Sequence, residues 1–404
     1  MYDLLLRGGS LFGIGVSDLA VRAGQIAGIG VLPADCAAVS HDVSGMLIIP
    51  PFVDSHTHLD KALMYAQEEA SDLMEAVSIS GKLQSAIPQD ELTGNIIARM
   101  RTVLDWELAA GATTVKTHVQ IGGSYGFTSL DAAIEIRREY AGRLELLITA
   151  DWSPAYSEAF DKHARQGDIH FIGGYPSIMP DSRKTVDLLF DAALRCGLPL
   201  DLHVDESDAP NIDCFVYILE KTISCGMEER VTCSHVTALA AVSDSEASRA
   251  IDLCAHAGVH IITLPGCNMY LSGRADSQPI RRGITRVDDL LKAGINVSYA
   301  SDNIRDPFRP FGNGDMLEEA LFSAQVMQYG SMSGLETVMR MGTENPARAS
   351  LLKNYGLKIG CRADMVIIDA ATAGEAIIGR ANRRLVLNAG KPVAKNGAVL
   401  PWQI

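Results

Sequence analysis

Two histidines separated by one residue, His56 and His58, are the sharpest chemical feature of this 404-residue sequence. They lie at the end of the apolar run IIPPFVDSH, which is typical of a buried strand. Alternate residues of a strand point to the same side, so both imidazoles could bind one metal ion. A bare His-x-His pair also occurs by chance on solvated loops. The pair therefore indicates a metal site only if further ligands accompany it.

Further candidate ligands stand at the ends of other apolar runs. The runs LPLDLH and VTCSH end in His203 and His235, and Asp302 directly follows INVSYAS. If these runs are parallel strands of one barrel, their carboxyl ends meet at one rim, which is where barrel enzymes place their active sites. Nitrogen and oxygen ligands of this kind suit zinc or ferrous iron, with one position open for water. We therefore predict one divalent metal ion, Zn2+ or Fe2+, at this rim.

A candidate proton carrier, Glu206, follows three residues after His203 in the segment HVDES. A carboxylate close to a metal-activated water can pass a proton to a leaving group. Asp205 and Asp208 are near enough in the sequence to be rivals, and each of these acids could instead be solvated or cap a helix. The position just after a candidate ligand favours Glu206.

Eight β-rich runs alternate with helical segments in the middle of the chain, and several of those segments end in glycine. The runs are residues 48–56, 113–118, 144–150, 169–174, 198–203, 231–235, 259–264 and 295–301. This alternation predicts an α/β fold of the (β/α)8 TIM barrel type, with a doubly wound open sheet as the alternative.

Both ends of the chain contain short strand-like runs joined by glycine turns, and neither end alone has enough strands for a stable sheet. We therefore predict one small β-sandwich domain that both termini form together. Its expected parts are residues 1–48 and 360–404, and the catalytic barrel is expected at residues 49–359.

Composition excludes several classes of protein. The 35 Lys and Arg residues against 49 Asp and Glu give a net charge of −14, the wrong sign for binding nucleic acid. No run reaches the roughly 20 apolar residues that cross a membrane, and a hydrophobic share of 47% argues against disorder. The eight cysteines form no C-x-x-C pair, which is typical of reduced thiols in a cytoplasmic protein. We expect a cytoplasmic location and no nucleic-acid or membrane partner.

These segments, in this order, resemble the amidohydrolase superfamily, and within it the branch of cytosine deaminase and isopropylammelide isopropylaminohydrolase. The resemblance rests on YDLLLRGG, PPFVDSHTHLDKA, VKTHV, DLHVDE, TCSH and NYGLKIGCRADMVIID. Its most specific part is RRGITRVDDLLKAGINVSYASDNIRDPFRPFGNGDM. The resemblance covers nearly the whole chain and implies a metal-dependent barrel with a split β-sandwich. It also implies a homo-oligomer, because relatives form them.

The resemblance also implies a role for each candidate residue. The metal ligands that it implies are His56, His58, His203 and Asp302. Asp302 would also receive a proton from the attacking water, and His235 would stabilise the developing tetrahedral centre. Glu206 matches the glutamate that protonates a ring nitrogen and passes a proton to the departing group.

The substrate pocket departs from the pattern of cytosine deaminases. Where those enzymes carry a glutamine that reads the pyrimidine edge, this chain has ADWSPA, with Ser153 at the matching position. Asn303 replaces an aspartate, as in the triazine enzyme, and Phe308 replaces a tryptophan. We expect Trp152, Ser153, Asn303 and Phe308 to contact substrate, with Trp152 and Phe308 stacking on a flat ring. These changes argue against cytosine itself as the substrate.

Several cations could bear on the site. In some amidohydrolases a carboxylated lysine on the fourth barrel strand bridges two metals, whereas Lys116 lies on the second predicted strand. The resemblance therefore implies one metal. For Lys116 we expect a structural role, paired with an acid. Arg281, Arg282, Arg305 and Arg309 flank the predicted mouth of the barrel. One of them could bind an anionic group of the substrate, although most surface arginines have no such role.

The predicted function is hydrolysis of a small nitrogen heterocycle, in which metal-activated water attacks a ring carbon and an exocyclic amino group leaves. The same residues would serve an alkylamine or sulfide leaving group. Ring-opening hydrolysis of a cyclic amide is the next alternative, but it would favour two metals. A silent homologue that acts only as a binding protein is disfavoured because all the candidate ligands are present.

Overall fold

The computed structural model describes residues 1–123 and 125–401. Its strands are β1 (Tyr2–Leu11), β2 (Gly15–Arg22), β3 (Gln25–Gly30), β4 (Ala37–Asp42), β5 (Leu47–Ile49), β6 (Phe52–Thr57), β7 (Ala112–Val119), β8 (Glu145–Asp151), β9 (Phe171–Gly174), β10 (Leu200–Val204), β11 (Val231–His235), β12 (His260–Thr263), β13 (Val297–Tyr299), β14 (Met365–Ile368), β15 (Arg383–Asn388), β16 (Lys391–Lys395) and β17 (Ala398–Val399). Its helices are α1 (Leu73–Ser85), α2 (Leu92–Ala109), α3 (Thr128–Glu139), α4 (Ser157–Gln166), α5 (Ser182–Cys196), α6 (Asp213–Cys225), α7 (Asp244–Ala257), α8 (Pro265–Leu271), α9 (Val287–Lys292), α10 (Met316–Val326), α11 (Met332–Met341), α12 (Glu344–Ala349) and α13 (Ala373–Gly379).

The eight strands β6–β13 pair side by side in sequence order, and every pair is parallel. This order is that of a (β/α)8 barrel, so the barrel prediction is confirmed and the doubly wound alternative is wrong. The first and last strands, β6 and β13, meet at a seam with few backbone hydrogen bonds. There the Asp302 amide donates to the His56 carbonyl at 2.8 Å, and the Ser301 amide donates to Asp54 Oδ1 at 3.1 Å.

The first predicted barrel strand, residues 48–56, is in fact two strands. Residues 47–49 form β5, which pairs with β1 and β14 of the terminal sheet, whereas β6 begins at residue 52 and opens the barrel. Pro50 and Pro51 separate them because proline has no amide hydrogen to donate to a neighbouring strand. A single apolar run therefore crosses from one sheet to the other at the proline pair.

The two ends of the chain form one sheet of nine strands among the described residues, β1–β5 with β14–β17, as predicted. The strand order is β17-β16-β15-β14-β5-β1-β2-β3, and β4 pairs with β1. The sheet has its own apolar core, which includes Leu6, Leu19, Ile48 and Ile367. The boundaries at 48/49 and 359/360 stay a prediction, since α13, near the C-terminus, packs its apolar residues into the core of the barrel.

The barrel helices begin and end where local sequence signals indicate. Helix α7 starts with a capping box, in which Ser243 accepts from the Glu246 amide and Glu246 accepts from the Ser243 amide. It ends at Gly258 with φ of 59°, a left-handed conformation that glycine adopts without strain. In the described part of the chain, no helix is both long and apolar enough to cross a membrane.

A buried ion pair, Arg309 with Glu319, supports the loop that follows β13. The side chain is 2% exposed, and its Nη2 lies 2.7 Å from Glu319 Oε1. Its Nη1 donates at 2.7 Å to the carbonyl of Ser301, the residue directly before Asp302. Gly266 packs so closely on the guanidinium that a Cβ at that position would overlap it. Arg309 therefore fixes the backbone behind the site.

Replacing Arg309 by methionine is expected to lower the free energy of unfolding by about 3–5 kcal/mol, because it leaves Glu319 buried without its cation. Chemical denaturation measures the change. The matched control is Arg101→Met, which breaks the exposed Arg101–Glu139 pair and should cost less than about 1 kcal/mol. Equal losses in the two variants would contradict a supporting role for the buried pair.

Below neutral pH, His170 is expected to weaken the fold. Burial lowers the pKa of its imidazole from 6.5 to about 4, and the charge of Arg137 acts in the same direction. Between these values the unfolded chain binds more protons than the folded one, so stability falls as pH drops from 6.5 towards 4.

We expect this histidine to account for about 2 kcal/mol of that loss. The test compares unfolding free energies of the wild type and of His170→Asn, whose amide oxygen can still accept from the Ile148 amide as Nδ1 does. The difference between the two proteins should shrink on acidification. The exposed His256→Asn serves as control, and a difference that does not change with pH would contradict the assignment.

Candidate active site

The predicted metal ligands converge at the carboxyl ends of the barrel strands. His58 Nε2 lies 3.1 Å from His203 Nε2 and 3.4 Å from Asp302 Oδ1, and His56 Nε2 lies 3.6 Å from the same carboxylate oxygen. Ligand atoms of His56, His235 and Asp302 also lie within 4.8 Å of one another. The strand ends therefore form a group of imidazoles and one carboxylate that is able to hold a metal ion, as the sequence predicts.

The protonation of this group fits a metal site. Burial lowers the pKa of His56 and His203 well below 6.5, and neighbouring imidazoles act in the same direction, while the pKa of His58 falls to about 4. Burial would raise the pKa of Asp302, but the nearby imidazoles of His58 and His235 outweigh this effect and lower the pKa. Neutral imidazoles and an ionised carboxylate are the forms that bind metal.

Many polar atoms of this group have no hydrogen-bond partner within the described chain. They include both ring nitrogens of His56, Nδ1 of His203 and both carboxylate oxygens of Asp302. Buried polar groups are usually paired, and unpaired ones are costly. A divalent ion could take Nε2 of His56 and an oxygen of Asp302 as ligands, which would satisfy part of this set.

Sequence reasoning did not select His118, which lies in the same cluster. Its ring centroid is 4.2 Å from that of His56 and 4.7 Å from that of His203, and the three offer ligand atoms within 4.8 Å of one another. His118 ends the predicted strand 113–118, so the rule that selected His203 should have selected it too. Its Nε2 lies 3.7 Å from Asp201 Oδ2, which ties it to the barrel interior.

Glu206 lies beside His235 at the edge of the cluster. Its Oε1 is 3.3 Å from His235 Nδ1, and the side-chain amide of Asn268 donates to both atoms at 3.0 Å. Burial raises the pKa of Glu206 to about 7, a rise that His235 opposes and the charge of Asp302 reinforces. Near neutral pH this carboxyl can therefore both accept and release a proton. Nothing in the sequence singled out Asn268.

The two rival acids hold backbone in place. Asp205 Oδ2 accepts from the Phe215 amide at 3.0 Å, near the start of α6. Asp208 Oδ2 accepts from the Gly273 amide at 2.7 Å, and Arg281 donates to the Asp208 carbonyl. Both carboxylates are occupied by structural hydrogen bonds, which supports Glu206 as the proton carrier.

The backbone is strained where the site residues leave their strands. Asp205, His235 and Asp302 have φ of 47°, 66° and 60°, and Val236 has φ of 49°. Residues other than glycine seldom adopt positive φ, and such strain gathers at functional sites. Two of these residues, His235 and Asp302, place their side chains in the cluster.

A cavity of about 400 Å³ opens over the cluster. His58, His203, Glu206, His235 and Asp302 line its inner end. Of the four predicted substrate contacts, Trp152, Asn303 and Phe308 line it as well. Ser153 does not, because it precedes the short helical turn Pro154–Tyr156 outside the cavity.

Lys61 and Asp151 add a polar patch to the cavity that the sequence did not reveal. Lys61 is 8% exposed, and among the described residues no other lysine or arginine lines the cavity. Asp151 accepts from the Tyr175 hydroxyl at 2.7 Å, and the Tyr175 ring packs on His203 with centroids 4.5 Å apart. Burial raises the pKa of Asp151, and Lys61 opposes that rise.

The arginines that flank the mouth have other partners, which does not favour the suggestion that one of them binds substrate. Arg309 is buried with Glu319, Arg281 pairs with Asp276, and Arg305 lies over the Trp106 ring and donates to the Gly312 carbonyl. Arg282 is not among the residues that line the cavity. Within the described ranges no arginine lines the cavity.

Lys116 has the structural role that its place on the second strand predicts. It forms an ion pair with Asp201, and both side chains are fully buried. Burial would raise the pKa of Asp201, but Lys116 and His118 lower it to about 2. Asp201 lies on β10 inside the barrel, not at the rim.

Comparison with known proteins agrees with the site. Residues 98–394 match the model of the amidohydrolase family. The chain belongs to the amidohydrolase family. The pterin deaminase of Rhizobium rhizogenes strain K84 is 29% identical to this amidohydrolase over 381 residues, which cover 91% of this chain and 85% of the relative. The N-isopropylammelide isopropyl amidohydrolase of Pseudomonas sp. strain ADP is 26% identical, with 89% of each chain covered.

Among solved structures, 5-methylcytosine deaminase from Klebsiella pneumoniae with 5-fluorocytosine superimposes on this amidohydrolase with a TM-score of 0.89. The sequences are 28% identical, and 99% of each chain is covered. The resemblance to the cytosine deaminase and isopropylammelide branch is thereby confirmed.

Proposed function

We propose that this amidohydrolase removes an exocyclic amino group from a small nitrogen heterocycle by hydrolysis. The observation that carries the proposal is Glu206, a partly buried carboxyl with a pKa of about 7 that shares one cavity with the proposed metal ligands. Its relatives are named as enzymes of pterin, 5-methylcytosine and N-isopropylammelide, which supports the same class of substrate.

The residues proposed to hold one divalent ion, Zn2+ or Fe2+, are His56, His58, His203 and Asp302. When bound, such an ion supplies Lewis acidity that activates water at neutral pH. Asp302 is ionised at neutral pH because its pKa is lowered, and the carboxylate oxygen that does not bind the ion could accept a proton from the water.

His235 and Glu206 are proposed to act on the reacting carbon from the other side. Asn268 donates to His235 Nδ1, which in the neutral tautomer leaves the ring proton on Nε2. That Nε2 has no partner among the described residues and can stabilise the oxygen of a tetrahedral centre. Glu206 carries a proton to the ring nitrogen and then to the departing amine.

The ring is proposed to lie between Trp152 and Phe308, with its polar edge towards Asn303 and Lys61. Lys61 can donate to a ring carbonyl, and Asn303 is held by its hydrogen bond to Asp306 at 2.6 Å. Since a serine outside the cavity stands where cytosine deaminases carry a reading amide, the ring edge is recognised by a different set of groups.

The test is release of ammonia, alkylamine or sulfide from a panel of pyrimidines, purines, pterins, triazines and imidazolones by protein loaded with zinc or iron. Ammonia from one class of ring is the expected result, and protein dialysed against a chelator is the control. If the product is an alkylamine or sulfide, the assignment of the active site stands and the assignment of the leaving group changes. If metal-loaded protein turned over no ring in the panel, the proposed function would be wrong.

A further inference from the structure

The cavity over the metal-binding group is larger than one ring requires. Its volume is about 400 Å³, whereas a cavity of about 150 Å³ is enough to hold a six-membered ring. More than half of the space is therefore left when a single ring lies at the inner end. What lines this remaining space indicates what else the substrate carries.

The outer part of the cavity has an apolar wall. Leu73 and Val77 on α1 face it, together with Ile121, Tyr125 and Ile178 from the loops after β7 and β9. Val77 is 41% exposed and Ile178 47% exposed, although both are large apolar side chains. Exposed apolar side chains that gather at one place mark a binding surface.

The wall continues out of the mouth beside Glu206. A second, open cavity of about 750 Å³ shares Leu73, Ile178 and Glu206 with the first, and Met74, which is 56% exposed, extends the apolar side. Carboxylates also line this space, including Asp72, Asp181 and Asp213, and among the described lining residues Arg183 is the one Lys or Arg. An apolar chain fits against α1, whereas a negatively charged chain would meet more acids than cations.

We propose that the substrate is a heterocycle with an uncharged apolar substituent of several carbons, which lies against Val77 and Ile178 on its way to the mouth. This inference rests on the proposed function, which places the ring at the inner end of the same cavity. The substituent can sit on a ring carbon or on the exocyclic nitrogen, and the product distinguishes the two: ammonia in the first case and an alkylamine in the second.

Alkyl hydroxamates test the wall without any turnover. Their head group binds a metal ion, and their chain can be lengthened from acetyl to octanoyl in the metal-loaded protein. Each added methylene should lower Kd about fourfold as long as it lies against the wall. A chain of the same length that ends in a carboxylate should show a much smaller decrease in Kd, because of the acids at the mouth.

A charge is placed in the wall by each of two variants, Val77→Asp and Ile178→Asp. Each variant should remove most of the gain in affinity per methylene. Both side chains are partly exposed, so the substitutions leave the barrel core intact. The matched control is Leu194→Asp on α5, at a side chain that is 51% exposed and lines neither cavity. This control should keep the wild-type dependence on chain length.

A Kd that does not fall with chain length in the wild type, or no binding at any length, would overturn the inference. So would a dependence that Val77→Asp and Ile178→Asp leave unchanged. The proposed function fails separately, if no ring is hydrolysed while the hydroxamates still bind more tightly with each methylene. For the ring that is hydrolysed, kcat/KM should rise when an alkyl group is added, and an equal or lower value would also count against the inference.

Discussion

Replacing Glu206 by glutamine is expected to lower kcat by about 10²–10⁴-fold while the metal content stays that of the wild type. Glutamine keeps the shape of the side chain and can still accept the hydrogen bond from Asn268, but it cannot carry a proton. The metal-binding group is untouched, since Glu206 is not one of the proposed ligands. Product release under saturating substrate gives kcat, and elemental analysis gives the metal content.

The control for this prediction is Glu220→Gln, at an exposed position on α6. It makes the same chemical change outside the cavity and should leave kcat at the wild-type value. Full activity of the Glu206→Gln variant would remove Glu206 from the mechanism. Loss of metal together with activity would instead assign it to the metal site.

Replacing His203 by alanine is expected to abolish tight metal binding, with a loss of at least about 100-fold in affinity. Removing a group that only supports a metal ligand typically lowers metal affinity by 10–100-fold. His203 is proposed as a ligand itself, so its loss should cost at least as much. Its Nε2 lies 3.1 Å from that of His58, at the centre of the cluster. Activity should fall in parallel and recover only in part when excess metal is added.

Metal content after dialysis and the midpoint of thermal unfolding with and without metal measure this effect. The wild type should gain stability from the metal, since a ligand that binds only the folded state stabilises it. The His203→Ala variant should gain little. His256→Ala on the exposed side of α7 is the control, and a His203→Ala protein that retains metal through dialysis would refute the assignment.

The barrel was predictable because each strand and helix carries its own local signal. Short apolar runs alternate with amphipathic segments, and glycines such as Gly226 and Gly258 end the helices that they follow. The run at residues 48–56 was wrongly predicted as one strand, because hydrophobicity does not show that its two halves belong to different sheets. Only the prolines at positions 50 and 51 reveal the break, and their effect depends on which strand lies alongside.

The convergence of the candidate metal ligands was predictable for a different reason: the carboxyl ends of the parallel strands of a barrel meet at one rim. The same rule applies to His118, which a consistent reading would have included. The position of Ser153 outside the cavity depends on how the chain turns after β8, and that of Asn268 depends on how the short helix α8 leaves β12. Loop paths and long-range contacts of this kind leave no periodic trace in a sequence.

The seam between β6 and β13 links the site to the closure of the barrel. His56 and His58 belong to one side of it and Asp302 to the other, and Asp54 and Ser301, which bond across it, are 247 positions apart in the chain. Joining segments so distant costs loop-closure entropy, and few backbone hydrogen bonds offset that cost here. An ion held by ligands from both strands would act as a cross-link between them. Loading the metal should therefore slow amide hydrogen exchange in β6 and β13 more than in β8 and β9, which carry none of the proposed ligands. A protein that has lost its ion would begin to open along the edge that carries its catalytic groups.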